Sequence, residues 1–114
     1  MQFTHVATIT TKPGQMPEFL RKTEMDLLPL YRSSPGFVAY TIARTGEATA
    51  VSFGIWQTKQ QAELSVKTSD QWMKDSSGKL IDSLHNNVGN LPFLAFTGDL
   101  GVYASTAPAV GRQV

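Results

Sequence analysis

Apolar and polar side chains alternate from Phe3 to Thr11, with Phe3, His5, Ala7 and Ile9 on one side and Thr4, Val6, Thr8 and Thr10 on the other. This period of two predicts a first strand. Lys12-Pro13-Gly14 is turn chemistry, and Pro17 suits a first helical turn, where a missing N–H has no intrahelical partner to lose. The period then changes. Met16, Phe19, Leu20, Thr23, Leu27, Leu30 and Tyr31 recur every three or four residues against a charged opposite side, which predicts an amphipathic helix disturbed near its end by Pro29 and stopped by Ser33 to Gly36. Phe37 to Arg44 and Thr49 to Trp56 read as an antiparallel pair joined by Thr45-Gly46-Glu47-Ala48. Thr58 and Gln61 form a capping box, so a second helix opens directly after Trp56. Its apolar stripe is thin (Ala62, Leu64, Val66), and Lys67 to Asp70 offers a break. A shorter helical segment is expected around Lys79 to His85 after an interruption at Gly78, then a closing strand from Leu91 to Tyr103, bent at Gly98. Residues 105–114 have little to bury and read as a flexible tail behind one domain of residues 1–104.

The order βαββαβ predicts a ferredoxin-like α+β domain: a four-stranded antiparallel sheet with two helices on one face. The second and third strands are apolar on both alternations. Two helices cover only one face, so a second copy of the chain is the expected cover for the other.

Composition narrows the function. A chain of 114 residues, 41% hydrophobic and 17% charged, holds one core and no separate cofactor-binding module. A net charge of +1 argues against nucleic acid or an anionic membrane as partner. Without cysteine there is no disulfide, thiolate nucleophile, Cys-ligated zinc or iron–sulfur cluster. No apolar run approaches the roughly 20 residues that span a bilayer, and a cytoplasmic protein is the default expectation. His85 with Asp82 is too small a set for a metal site. No Ser/His/Asp arrangement, phosphate loop or carboxylate pair has a supporting context.

Three stretches in order, "VATITTKPGQMPEFL", Pro35 to Tyr40 and "AVSFGIWQTKQQAE", resemble the antibiotic biosynthesis monooxygenase family of dimeric α+β barrels over roughly residues 3–100. The resemblance implies a homodimer and oxygenation without flavin, heme or metal. A small aromatic, quinol-like or polyketide-like substrate would lose a proton and pass an electron directly to O2, while the protein orients it and excludes water. The family's strand-end Trp is Trp56. Polyketide members carry an Asn four residues before it and a Tyr six after it; here these are Ser52 and Ala62, which favours the alternative of a noncatalytic small-molecule-binding dimer.

Trp56 and His5 are therefore the candidate catalytic residues, and Tyr40, Ser52, Phe53 and Trp72 the candidate substrate contacts. Each has a plainer reading. Large aromatics at strand ends commonly pack, and a histidine beside Phe3 and Ala7 is commonly a buried, hydrogen-bonded one. If that face opens on a pocket, His5 becomes a proton acceptor.

Overall fold

β1, Gln2–Thr11, occupies an inner position of the sheet and pairs antiparallel on both sides, with β3, Thr49–Trp56, and with β4, Ile81–Leu91. β2, Phe37–Arg44, adds to the free side of β3, giving the order β2-β3-β1-β4. This is the four-stranded antiparallel, ferredoxin-like α+β arrangement expected. The computed structural model describes residues 1–95.

The first helical region comprises α1, Met16–Lys22, a π-helical turn over Thr23–Leu27, and α2, Leu28–Arg32. The disturbance lies ahead of Pro29. Proline has no N–H and its ring crowds the carbonyl four residues back, so the preceding turn widens. The Leu28 N–H reaches back to the Thr23 carbonyl, a five-residue step. α3, Lys59–Trp72, opens on the Thr58–Gln61 capping box, with both reciprocal bonds formed. It is continuous through Lys67 to Asp70, where a break is offered by sequence. The hydroxyls of Thr68 and Ser69 bond back to the carbonyls of Leu64 and Val66 rather than capping a new helix. The buried stripe also differs from expectation: α3 buries Ala62, Ser65, Ser69 and Trp72, while Leu64 is 53% exposed.

The largest correction is at the closing strand. Residues 79–85 are not helical beyond a single 3-10 turn at Gly78–Leu80; β4 begins at Ile81. A bulge between Thr10 and Thr11 pairs Thr10 with Ser83 and Thr11 with Ile81, leaving Asp82 out of register. Ile81 and Leu84 consequently pack against one core three residues apart, a spacing that imitates a helix. The strand expected from Leu91 to Tyr103 is not formed over 92–95, and its remainder, with the bend at Gly98 and the tail, lies outside the described residues.

Cross-strand registers assign the two sheet faces. Phe3, His5, Ala7 and Ile9 share the helix-covered face with Trp56, Gly54, Ser52 and Ala50 of β3 and with Tyr40 and Ile42 of β2. The opposite face carries Val6, Val51, Phe53, Ile55 and Ala39, giving way to Ser83, His85 and Asn87 on β4. Phe53 is 42% exposed there. Among the described residues no helix is long and apolar enough to cross a membrane.

Candidate functional site

Trp56 is the fulcrum of the helix-covered core. Its ring is 0% exposed, stands edge-on to Tyr31 at 5.1 Å and to Phe37 at 5.8 Å, and its indole N–H donates to the Ser34 hydroxyl at 3.0 Å. Gly54, two residues earlier on the same face, lies beneath the ring. A Cβ at that position would stand 2.3 Å from the indole, so the glycine is what admits the tryptophan. Tyr40 packs on Tyr31 at 5.2 Å; the Ser52 hydroxyl lies near the Tyr40 phenol and that of Ser69 near the Tyr31 phenol, each partly offsetting the effect of burial. Burial holds Tyr31 far above the usual phenol range and pushes Tyr40 up to about 12. Both phenols are protonated at neutral pH; they can donate a hydrogen bond but cannot serve as the base.

His5 has a different environment. It is buried on β1, with Nδ1 2.9 Å from the Ser65 hydroxyl of α3 and Nε2 2.7 Å from Oδ1 of Asn86 on β4. Burial lowers its pKa, opposed by the bond to Asn86 and by the charge of Asp70. At neutral pH it is an uncharged imidazole with capacity to accept a proton. Protonation on unfolding is easier than in the fold, so the stability held by a neutral His5 is complete above its ordinary value of 6.5 and is lost as pH falls through the lower folded value. The melting temperature should therefore fall between about pH 7 and pH 5, and His5→Gln should flatten that slope in a circular-dichroism melting series; an unchanged slope in the variant would assign it to other groups.

The structure thus brings Trp56, Tyr40 and Ser52 together in one core, with His5 on the same sheet face. His5 and Tyr40 are the residues of β1 and β2 that pair with Gly54 from its two sides. Phe53 is separated from them by the sheet. Trp72, packed on Phe19 at 6.0 Å, lines a groove of about 500 Å³ between the helices with Leu30, Lys67, Thr68, Gln71 and Asp75. Its buried indole N–H has no acceptor among the described residues. A second cleft, about 340 Å³, lies at the β1–β4 end beside the start of α3 and is lined by Met1, Phe3, Lys59, Val88, Gly89 and Asn90. Val88 is the cross-strand partner of His5 and Phe3 precedes His5 on the same face, while the imidazole itself is buried behind them and does not line the cleft.

Ser65, Ser69, Asn86, Tyr31 and Ser34 were not singled out by sequence. The available signal was the row Ala62, Ser65, Ser69, Trp72, spaced three and four apart: a helix face of small hydroxyls ending in an aromatic. Among the described residues no group of three or more potential metal ligands occurs.

No protein-family model matches the sequence, and no curated protein matches it. Solved structures do share the fold. A protein of unknown function from Nitrosomonas europaea superposes with a TM-score of 0.67 at 16% identity, covering 86% of this chain and 96% of its own. A candidate antibiotic biosynthesis monooxygenase from the same organism gives a TM-score of 0.67 at 12% identity, covering 81% and 91%. SnoaB, a cofactor-independent oxygenase from Streptomyces nogalater, gives 0.61 at 14% identity, covering 82% and 95%. The chain has the fold of the antibiotic biosynthesis monooxygenases.

Proposed function

We propose that this chain is a cofactor-independent monooxygenase acting on a small hydroxylated aromatic of the anthrone or quinol type. The observation that carries the reading is His5: a buried, neutral imidazole on the sheet face whose Phe3 and Val88 line a cleft, in the fold shared with SnoaB. The substrate enters between Phe3 and Val88, whose side chains supply the apolar wall, and Asn90 and Lys59 supply polar contacts at the rim. Reaching Nε2 requires its acidic hydroxyl or methylene to displace the amide of Asn86; freed of that acceptor, the neutral ring carries its hydrogen on Nδ1, donated to the Ser65 hydroxyl, and Nε2 is open to take the substrate proton.

His5 takes the substrate proton, leaving a delocalised anion. The anion gives one electron to O2, the resulting radical and superoxide combine into a peroxide anion, and His5 returns its proton to give the hydroperoxide. For a methylene substrate, loss of water from the hydroperoxide leaves a carbonyl, so one oxygen atom enters the product and the other leaves as water. The protein binds, deprotonates and keeps bulk water from the anion. Trp56 is a positioning residue in this scheme: it holds β3 and the Tyr31–Tyr40 pair against which β1 and His5 are set. Tyr40 and Ser52 act with it, and Trp72 with its groove lies outside the reaction.

The test is O2 uptake by chelator-treated protein over a panel of anthrones and quinols. Uptake matched to substrate consumed is expected; measurable binding across the panel with no uptake would instead select a noncatalytic binding protein, the reading favoured by Ser52 and Ala62.

The chain acts as a homodimer with the sheet face of half-buried Val6 and Val51 and exposed Phe53 set against a second copy, because an apolar sheet face left partly open calls for cover. Light scattering should give twice the chain mass, and Phe53→Glu should give the monomer. A monomeric wild-type protein would contradict this arrangement.

A further inference from the structure

The hydrogens around His5 can be counted. Asn86 presents Oδ1 to Nε2 in the resting protein, and an amide oxygen only accepts, so while that bond stands Nε2 carries a hydrogen whatever the charge on the ring. Nδ1 faces the Ser65 oxygen at 2.9 Å, and that same oxygen lies 2.6 Å from the carbonyl of Ala62, one turn back in α3. Ser65 has one hydrogen for two acceptors. With the ring neutral, the hydroxyl donates into Nδ1; with the ring protonated, Nδ1–H donates to the hydroxyl oxygen, which turns its hydrogen to Ala62. The Ala62 carbonyl tolerates either state, having two lone pairs and a backbone partner along the helix.

We propose that Ser65 is a positioning residue whose hydroxyl turns between His5 and the Ala62 carbonyl, so that the imidazole takes up and returns a proton with every polar atom of the network still bonded. A buried histidine without such a partner would leave an unpaired nitrogen or an unpaired N–H in one of its two states, and an unpaired group of that kind is costly. The elements packed around the ring contribute Ser65 and Asp70 from α3, Gly54 from β3 and Asn86 and Val88 from β4; Asp70 is the charged group among them. The inference rests on this geometry and stands apart from the oxygenase reading, since it concerns the resting protein without substrate.

The experiment is a nitrogen-15 NMR titration of the imidazole of His5 in the full chain, for the wild type, Ser65→Ala and Ser65→Thr. The wild-type neutral form is expected to be the Nε2–H tautomer and the acid form to carry hydrogens on both nitrogens. Ser65→Ala removes the acceptor for the cation's Nδ1–H, a bond stronger than its neutral counterpart, so proton affinity should fall roughly tenfold. Ser65→Thr keeps a hydroxyl and should restore it. A neutral Nδ1–H tautomer in the wild type, or an unaltered titration in a folded Ser65→Ala protein, would overturn the inference. The tautomer is read without any substitution, so the first outcome is decisive even if the alanine variant does not fold.

Discussion

Trp56→Ala should cost about 3–5 kcal/mol of folding stability, a large part of the roughly 5–15 kcal/mol that holds a domain together. The indole is completely buried, edge-packed between Tyr31 and Phe37, and hydrogen-bonded to Ser34; alanine leaves a void bordered by α2, β2 and the Gly54 backbone. The glycine cannot help to fill it. Urea unfolding at neutral pH measures the loss, and Trp56→Phe should lose much less, since a ring remains and only the N–H bond and part of the volume go. A cost below about 1 kcal/mol for the alanine variant would show that Trp56 does not organise this core.

The second large effect is on turnover. His5→Gln keeps a side chain able to bond to Ser65 and Asn86 but unable to hold a proton near neutral pH, and it should lower the rate of substrate oxidation by about 10²–10⁴-fold. Stability at pH 7 should change far less. The rate for wild-type protein should rise as His5 loses its proton, with a midpoint below the ordinary 6.5 because the ring is buried. Stopped-flow rates from acid to neutral pH give both the midpoint and the effect of the variant. Similar rates for the two proteins would remove His5 from the chemistry.

How much of this was legible in the sequence differs by element, for physical reasons. β1, β2 and β3 announce themselves through β-branched and aromatic residues in alternation, and the Thr58–Gln61 box marks the start of α3 because its bonds are local. β4 contains Asp82, Ser83, Asn86, Asn87, Gly89 and Asn90, residues with little intrinsic preference for strands. Pairing with β1 along its whole length decides its conformation, and the bulge at Thr10 hides what periodicity it has. The same distinction governs the site. His5 shares a strand face with Phe3 and Ala7, which is readable; its partners stand 60 and 81 residues away, and no local spacing marks them. α3 presents Ser65 and Ser69 to the core where a search for an apolar stripe picks out Leu64, which is exposed. Phe53 has the composition of a binding residue, but strand parity places it across the sheet from His5.

Trp56 connects these levels. Its position at the end of β3 is the one the sequence marks, Gly54 makes the space for it, and its packing on Tyr31, which in turn packs on Tyr40, ties the helix to the sheet on which His5 is carried. The chemistry we propose is carried by His5.

The most direct measurement of that assignment is the absorbance spectrum of an anthrone or quinol mixed with the protein in the absence of O2 at pH 7. Without oxygen the reaction stops after proton transfer, so wild-type protein should develop the substrate anion's band and His5→Gln should not, and admitting air should discharge the band. Oxygen consumption by the wild type with no anion formed anaerobically, or an equal band with His5→Gln, would contradict the account.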